Sequence, residues 1–418
     1  MPKDSSTGWK PRSGEAPEPI TDIRALLASN ELRSAPRRRL ELVPQPPPRP
    51  PRRPFQFLLY VLGLVAVGAL VIAGLSALTN RGIRSPKAKA APTTTTVTTV
   101  AASTAPSAPL ITIAAALEAP VSVPRVDTPA PKLSIDQTTS AAALSKAWAA
   151  GDGRPIVLTY HEIAEASASP FTVTPVAFAE QMAALKLLDV HTLTAAEYAG
   201  FVQGKPVPPR SVMITFDDGA RGVWRYADSI LAQHQFRAVA FVITGYIGTR
   251  GASYMTWNEI DKLAASGRWD IESHTAIGHA RVPINGQGDD GSFLSSLSWL
   301  PEANRLETIG EYQSRVAADL DRSMSDLKAH GYGKARLFAS PFSDFGARTN
   351  DPAIATTLYN LTHSRFSAVF NDDSFPRTLN GPFQFNRLTL ESKHTTVDLL
   401  SNITKVVELN KANPPKKP

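Results

Sequence analysis

At 418 residues, with a formal charge of +7 and no cysteine, the chain is long enough for two domains or for one large domain with flanks, and it excludes disulfides, thiolate metal sites and cysteine nucleophiles. The charge is unevenly placed: residues 151–408 hold 23 Lys and Arg against 28 Asp and Glu, a net of −5, which leaves +12 to the flanks. That acidic part carries no basic stripe with interleaved aromatics, so a nucleic-acid partner is not expected.

Taken in chain order, residues 1–54 are rich in Pro and Arg, with the run PQPPPRPPRRP (44–54), and bury too little apolar surface to fold. A disordered cytoplasmic tail is expected there. Residues 55–78 form a 24-residue apolar run without a charge, the length of a transmembrane helix. A cleaved signal peptide fits poorly, because 54 residues precede the run. Six arginines within 20 residues before it, against four basic residues after it, favour an N-terminus inside the cell and the large C-terminal part outside, held at the cell membrane by this one helix. Residues 79–149, dominated by Ala, Thr, Pro and Ser, read as an extracytoplasmic linker. A folded domain is expected over 150–408 and a short disordered tail over 409–418. No internal repeat is present, and the oligomeric state is open.

Within 150–408, six short apolar, β-branched runs are expected as strands: PIVLTYHEI (155–163), SVMITFDDG (211–219), AVAFVITGYIG (238–248), RWDIESHT (268–275), ARLFASPF (335–342) and FSAVFNDD (366–373). Helical patterns such as TPVAFAEQMAALKLLD and TIGEYQSRVAADLDRSMSDLKAHG separate them. Alternation of this kind predicts an α/β fold with a parallel sheet, barrel or doubly wound, and its ligands at the carboxyl ends of the strands. Those ends carry Tyr160-His161-Glu162, Asp217-Asp218, His274 and the stretch from Ser340 to Asp344.

Asp217-Asp218-Gly219 has a plain reading as a strand-ending turn and a sharper one as a catalytic pair. His274 and His279 can join a carboxylate in a two-histidine, one-carboxylate metal site. On an ideal helix five residues leave the two side chains about 140° apart, so the segment is expected to be a loop, with Gly278 supplying freedom.

TFDDG, SHTAIGH and SPFSDFG resemble the first three motifs of the NodB-homology polysaccharide deacetylases, carbohydrate esterase family four, in order across residues 150–405. The opening YHEI, the five-residue His spacing and the insert INGQGDDGSFLSSLSWLPEANRLET resemble the subgroup acting on poly-β-1,6-N-acetylglucosamine. The resemblance implies a distorted (β/α) barrel of about seven strands and hydrolysis of N-acetyl groups from an N-acetylglucosamine polymer. It implies Asp218, His274 and His279 as ligands of a divalent ion, zinc first, then cobalt, nickel or iron. Asp217 would be the general base, the backbone N–H of Phe342 part of an oxyanion hole, and Tyr160, Pro341 and Asp344 substrate contacts. Two departures stand out. The third motif lacks the arginine that usually orients the base, with Arg336 out of register, and the late region RLTLESKHTT offers only His394, placed beyond the last strand. In the resembled subgroup the domain is circularly permuted and the opening histidine is the acid, which gives that role to His161. A chitin- or peptidoglycan-type deacetylase and a non-catalytic glycan-binding module remain as alternatives.

Overall fold

A computed structural model of the protein describes residues 122–166, 169–346, 348–372 and 384–412. All six expected strands form: β1 Ile156–Tyr160, β2 Ser211–Phe216, β3 Ala238–Val242, β4 Trp269–Ser273, β5 Leu337–Ala339 and β6 Ala368–Asn371. Each pairs with its successor in parallel. A further short strand, His191–Thr192, pairs with the start of β2.

Closure comes from a segment the strand patterns did not announce. β7, Gln384–Asn386, pairs with β6, and β8, Leu388–Thr389, pairs with β1, with only Arg387 between them. Counted as one stave, this segment nearly closes a parallel barrel of seven. Its interior is legible from alternation. Val157, Met213, Val239, Phe241, Leu337, Ala339, Ala368, Phe370 and Phe385, drawn from the staves of the barrel, form one buried cluster, while their chain neighbours face the surrounding helices.

Those helices form where local signals predict them. α2, Pro175–Leu187, starts at the Thr174 cap with proline in its first turn. α6, Ile309–Ala329, starts at a Thr308/Glu311 capping box. Further helices are α3 Ala195–Val202, α4 Asp228–His234, α5 Trp257–Ala265, α7 Ala353–His363 and α8 Thr396–Ala412. The insert at 284–308 contributes to two small antiparallel hairpins.

The domain begins earlier than its composition suggests. α1, Ile135–Ala149, lies inside the stretch expected as linker; a Ser134/Gln137 capping box starts it, and Ala141 and Leu144 are buried in one cluster with Leu399, Ile403 and Val407 of α8. Upstream of α1, the Val123 N–H donates to Glu259, the Trp224 indole donates to the Val123 carbonyl, and Arg125 pairs with buried Asp228 at 2.7 Å. Residues 122–149 therefore belong to the folded unit, and α8 carries order to Ala412, into the expected tail. The apolar run 55–78, the tail 1–54 and residues 79–121 lie outside the described residues, among which no helix is long and apolar enough to cross a membrane.

Candidate active site

The Asp pair ends β2 in a turn that sends adjacent carboxylates in different directions. The Asp217 N–H donates to the Tyr160 carbonyl at 2.9 Å, and the Gly219 N–H to the Asp217 carbonyl at 2.9 Å. Asp218 takes a left-handed φ of 70° and Gly219 one of 81°, where a Cβ would also meet Ile247 at 2.8 Å. Asp217 consequently points into the barrel mouth, fully buried, and Asp218 into an open cavity of about 610 Å³.

Asp218 Oδ1 stands 3.4 Å from His274 Nε2 and 3.4 Å from His279 Nε2. It is buried and makes no hydrogen bond among the described residues. Two atoms each about 2.0–2.1 Å from one tetrahedral ion stand about 3.3 Å apart, so this spacing suits a shared ion better than a direct bond. His274 supports the fit, because its Nδ1 donates to the Ala339 carbonyl at 2.8 Å and leaves Nε2 free to ligate. Burial works against ionisation of Asp218, but His274, His161 and His279 together hold its carboxyl below the usual range. The expected loop between the histidines forms. Its left-handed residue is Thr275, φ 74°, rather than Gly278, whose value is closeness: a Cβ there would lie 3.0 Å from Asp319 Oδ2.

Beside this triad lies a second cluster that the motifs did not reveal. Arg387, fully buried, donates through Nη1 to Asp217 Oδ1 at 2.8 Å and through Nη2 to Asp217 Oδ2 at 2.6 Å, and reaches Asp372 Oδ1 at 2.6 Å. It is delivered from the closing stave, between β7 and β8, rather than from the third motif. His161 Nε2 lies 3.8 Å from Asp372 Oδ2. His161, Asp217 and Asp372 have the spacing of a metal group, but the guanidinium already stands between the two carboxylates. Burial raises both carboxyls; Arg387 and the imidazoles outweigh it at Asp217, which is held low, while at Asp372 the Asp217 charge adds to burial and the carboxyl stays high. Asp372 was visible in FSAVFNDD as a polar strand end, and Arg387 as one charge in the apolar run FQFNRLTL.

Phe342 stands on the cavity wall, 48% exposed, with its ring 4.2 Å from that of His279. It and Ser343 both take left-handed φ, 58° and 55°, so four non-glycine residues of the site loops, with Asp218 and Thr275, occupy a strained region. The three expected substrate contacts do not line the cavity. Tyr160 is fully buried and donates its hydroxyl to Gln181 at 2.8 Å, because alternation along β1 turns it towards the helices. Pro341 is buried, and the Asp344 carboxylate is taken up by the Ser295 hydroxyl. His394 lies beyond the last strand, as expected, and lines the cavity; its Nδ1 accepts the Glu391 N–H at 3.0 Å.

Residues 204–360, which hold both aspartates, both histidines of the triad and Phe342, match the family model described as polysaccharide deacetylase. Over that stretch the chain is similar to polysaccharide deacetylases. The matched stretch excludes His161, Asp372 and Arg387, which the barrel brings in from either side. The poly-β-1,6-N-acetyl-D-glucosamine N-deacetylase of Staphylococcus epidermidis is 31% identical over 175 residues, covering 41% of this chain and 54% of that protein. The Escherichia coli K12 protein of the same name is 22% identical over 242 residues, 54% of this chain and 36% of its own. The chain thus spans between a third and just over half of the curated relatives it matches. A de-N-acetylase from Aggregatibacter actinomycetemcomitans superposes with a TM-score of 0.50 at 19% identity, covering 60% of this chain and 99% of that one; the two share a fold.

Proposed function

We propose that this protein hydrolyses N-acetyl groups from N-acetylglucosamine residues of an extracellular or cell-wall polysaccharide, releasing acetate. The observation that carries the reading is the Asp218–His274–His279 triad at 3.4 Å spacing, beside an Asp217 clamped by Arg387. Asp218, His274 and His279 would hold a divalent ion, which would supply a water of lowered pKa and polarise the acetyl carbonyl. The chain's own groups do the rest. Asp217, kept ionised and oriented by Arg387, takes a proton from the attacking water as its oxygen bonds to the carbonyl carbon. The N–H of Phe342 stabilises the developing oxyanion. His161, with Asp372 behind it, gives a proton to the amide nitrogen as the C–N bond breaks, so acetate leaves and a free amine remains on the sugar. Phe342 and Phe171, whose ring lies 5.0 Å from that of His161, offer exposed apolar faces on the cavity wall for a sugar ring.

The polymer is taken to be β-1,6-linked, on the names of the relatives and the motif resemblance, and the uncharged run 55–78 is taken to anchor the domain outside the membrane. The full chain in detergent should release acetate from poly-β-1,6-N-acetylglucosamine and lose that activity with chelator. Release from β-1,4-linked chitin oligomers alone would reassign the linkage, and glycan binding without acetate would leave a binding module.

A further inference from the structure

Helix α6 turns towards the metal-facing loop a stripe that is polar where an amphipathic helix ordinarily places apolar side chains. Asp319, Ser323 and Asp326 stand at i, i+4 and i+7, and the first two are buried. Asp319 Oδ1 accepts the Ile277 N–H at 2.7 Å and Oδ2 the Ala276 N–H at 3.2 Å, while the Gly278 N–H turns to the same carboxylate. Three successive amides thus converge on one acid, a backbone concavity suited to an anion. Further along the stripe, the Ser323 hydroxyl meets that of Ser273 at 2.8 Å, and Asp326 accepts from Thr244 Oγ1 at 2.8 Å. On the opposite side, the amides of Thr244 and Gly245 donate to the carbonyls of Thr275 and Ala276 at 3.1 and 2.9 Å. The residues between His274 and His279 are therefore held from both sides.

We infer that Asp319 is a positioning residue that sets the His274–His279 loop at the spacing a shared ion requires. The inference rests on the metal reading of the triad. An acid is needed because a carboxylate accepts on both oxygens, whereas the amide of asparagine offers one acceptor and sets an NH₂ against a backbone N–H. The missing side chain at Gly278 belongs to the same arrangement, since a Cβ there would lie 3.0 Å from Asp319 Oδ2 and 3.0 Å from Thr275 Cγ2.

The test uses the full chain as wild type, Asp319→Asn and Gly278→Ala. Three quantities are read: zinc affinity by competition with a chromophoric chelator, the visible absorption of the cobalt-loaded protein, and the melting temperature of the metal-free protein. Both variants should bind zinc about 10–100-fold more weakly, the usual effect of losing a partner that orients a ligand, with an altered cobalt spectrum and a metal-free melting temperature within a few degrees of wild type. Gly278→Ala keeps the carboxylate and perturbs only its seat, so it carries the test if Asp319→Asn fails to fold. Unchanged affinity and spectrum in a variant would overturn the positioning role. A wild-type chain that binds no zinc or cobalt would overturn the metal reading beneath it.

Discussion

The guanidinium of Arg387 grips the Asp217 carboxylate through two parallel hydrogen bonds of 2.8 and 2.6 Å, with both side chains shielded from water. A fork of this kind fixes the direction of the carboxylate as well as its charge. Arg387→Lys keeps a cation but loses the fork, and should fold while turnover falls on the order of 10²-fold, the scale of an ångström-level misplacement. Arg387→Met leaves Asp217 and Asp372 facing each other unpaired, and should cost about 3–5 kcal/mol of stability. Steady-state acetate release and denaturant unfolding check the pair. Equal turnover in Arg387→Lys and wild type would remove Arg387 from the positioning of the base.

The two aspartates should separate by what each loses. Asp218→Asn should lose bound ion and turnover together, since it replaces the carboxylate that faces both imidazoles. Asp217→Asn should keep the ion and lose turnover, because a base is not a ligand. Elemental analysis beside acetate release decides it, and parallel metal loss in both variants would exchange or merge their roles.

What the sequence disclosed, and what it hid, divides along a physical line. Asp217, Asp218, His274 and His279 announce themselves because each follows a β-branched run within a few residues, so the strand end and the functional group share one local window. Arg387 and Asp372 do not, since their meaning depends on closure. Only when β7 pairs with β6 and β8 with β1 does a charge in an apolar run come to stand beside Asp217, a partner 170 residues away along the chain. The misplacement of Tyr160 is of another kind. It ends β1 beside His161, but the period of two sends neighbouring side chains to opposite faces, and the register decides which one reaches the cavity. Helix α1 is hidden within a linker-like composition because alanine and threonine are as much at home in a capped helix against α8 as in a spacer.

The early start of the domain has a measurable consequence. A chain beginning at 150 lacks Arg125, which covers the Trp224 ring at 4.0 Å and pairs with the buried Asp228 carboxylate, and lacks Leu144 from the core. It should melt well below a chain beginning at 122, or be insoluble, since the loss of Leu144 alone is worth about 2–5 kcal/mol by analogy with large-to-small core changes. Matching melting temperatures for the two chains would return residues 122–149 to the linker.

Glu162 should impose a pH dependence on stability. Its Oε1 accepts the Gly222 N–H at 3.0 Å, where a Cβ on Gly222 would lie 2.0 Å away. Burial pushes its carboxyl up from 4.5 to about 7, against the pull of the Gly222 and Ile163 amides and with the Asp218 charge adding to the rise. A folded pKa above the unfolded one means that the folded state binds the proton more tightly. The contribution is then fully present below about pH 4.5 and is lost as pH rises through about 7, by at most roughly 1.4 kcal/mol per unit. Over this window wild type should therefore lose melting temperature relative to Glu162→Gln as pH rises, both measured in chelator. A constant difference from about pH 4 to about pH 8 would show that Glu162 does not titrate there.

The proton delivered to the leaving nitrogen should come from His161. Expulsion of an amine is slow until its nitrogen is protonated, so a donor must stand across from the metal triad. His161 follows β1 directly at the cavity wall, with Asp372 Oδ2 at 3.8 Å from its Nε2 and with Nδ1 free of any hydrogen bond among the described residues. His394 is the competitor, since it lines the same cavity. His161→Ala should keep the ion and the fold while turnover on the N-acetyl substrate falls by roughly 10²–10⁴. The loss should shrink towards unity on an aryl acetate ester, whose leaving group needs no proton, whereas His394→Ala should affect both substrates alike. An equal loss on amide and ester in His161→Ala, with a selective loss on the amide in His394→Ala, would transfer the acid role to His394.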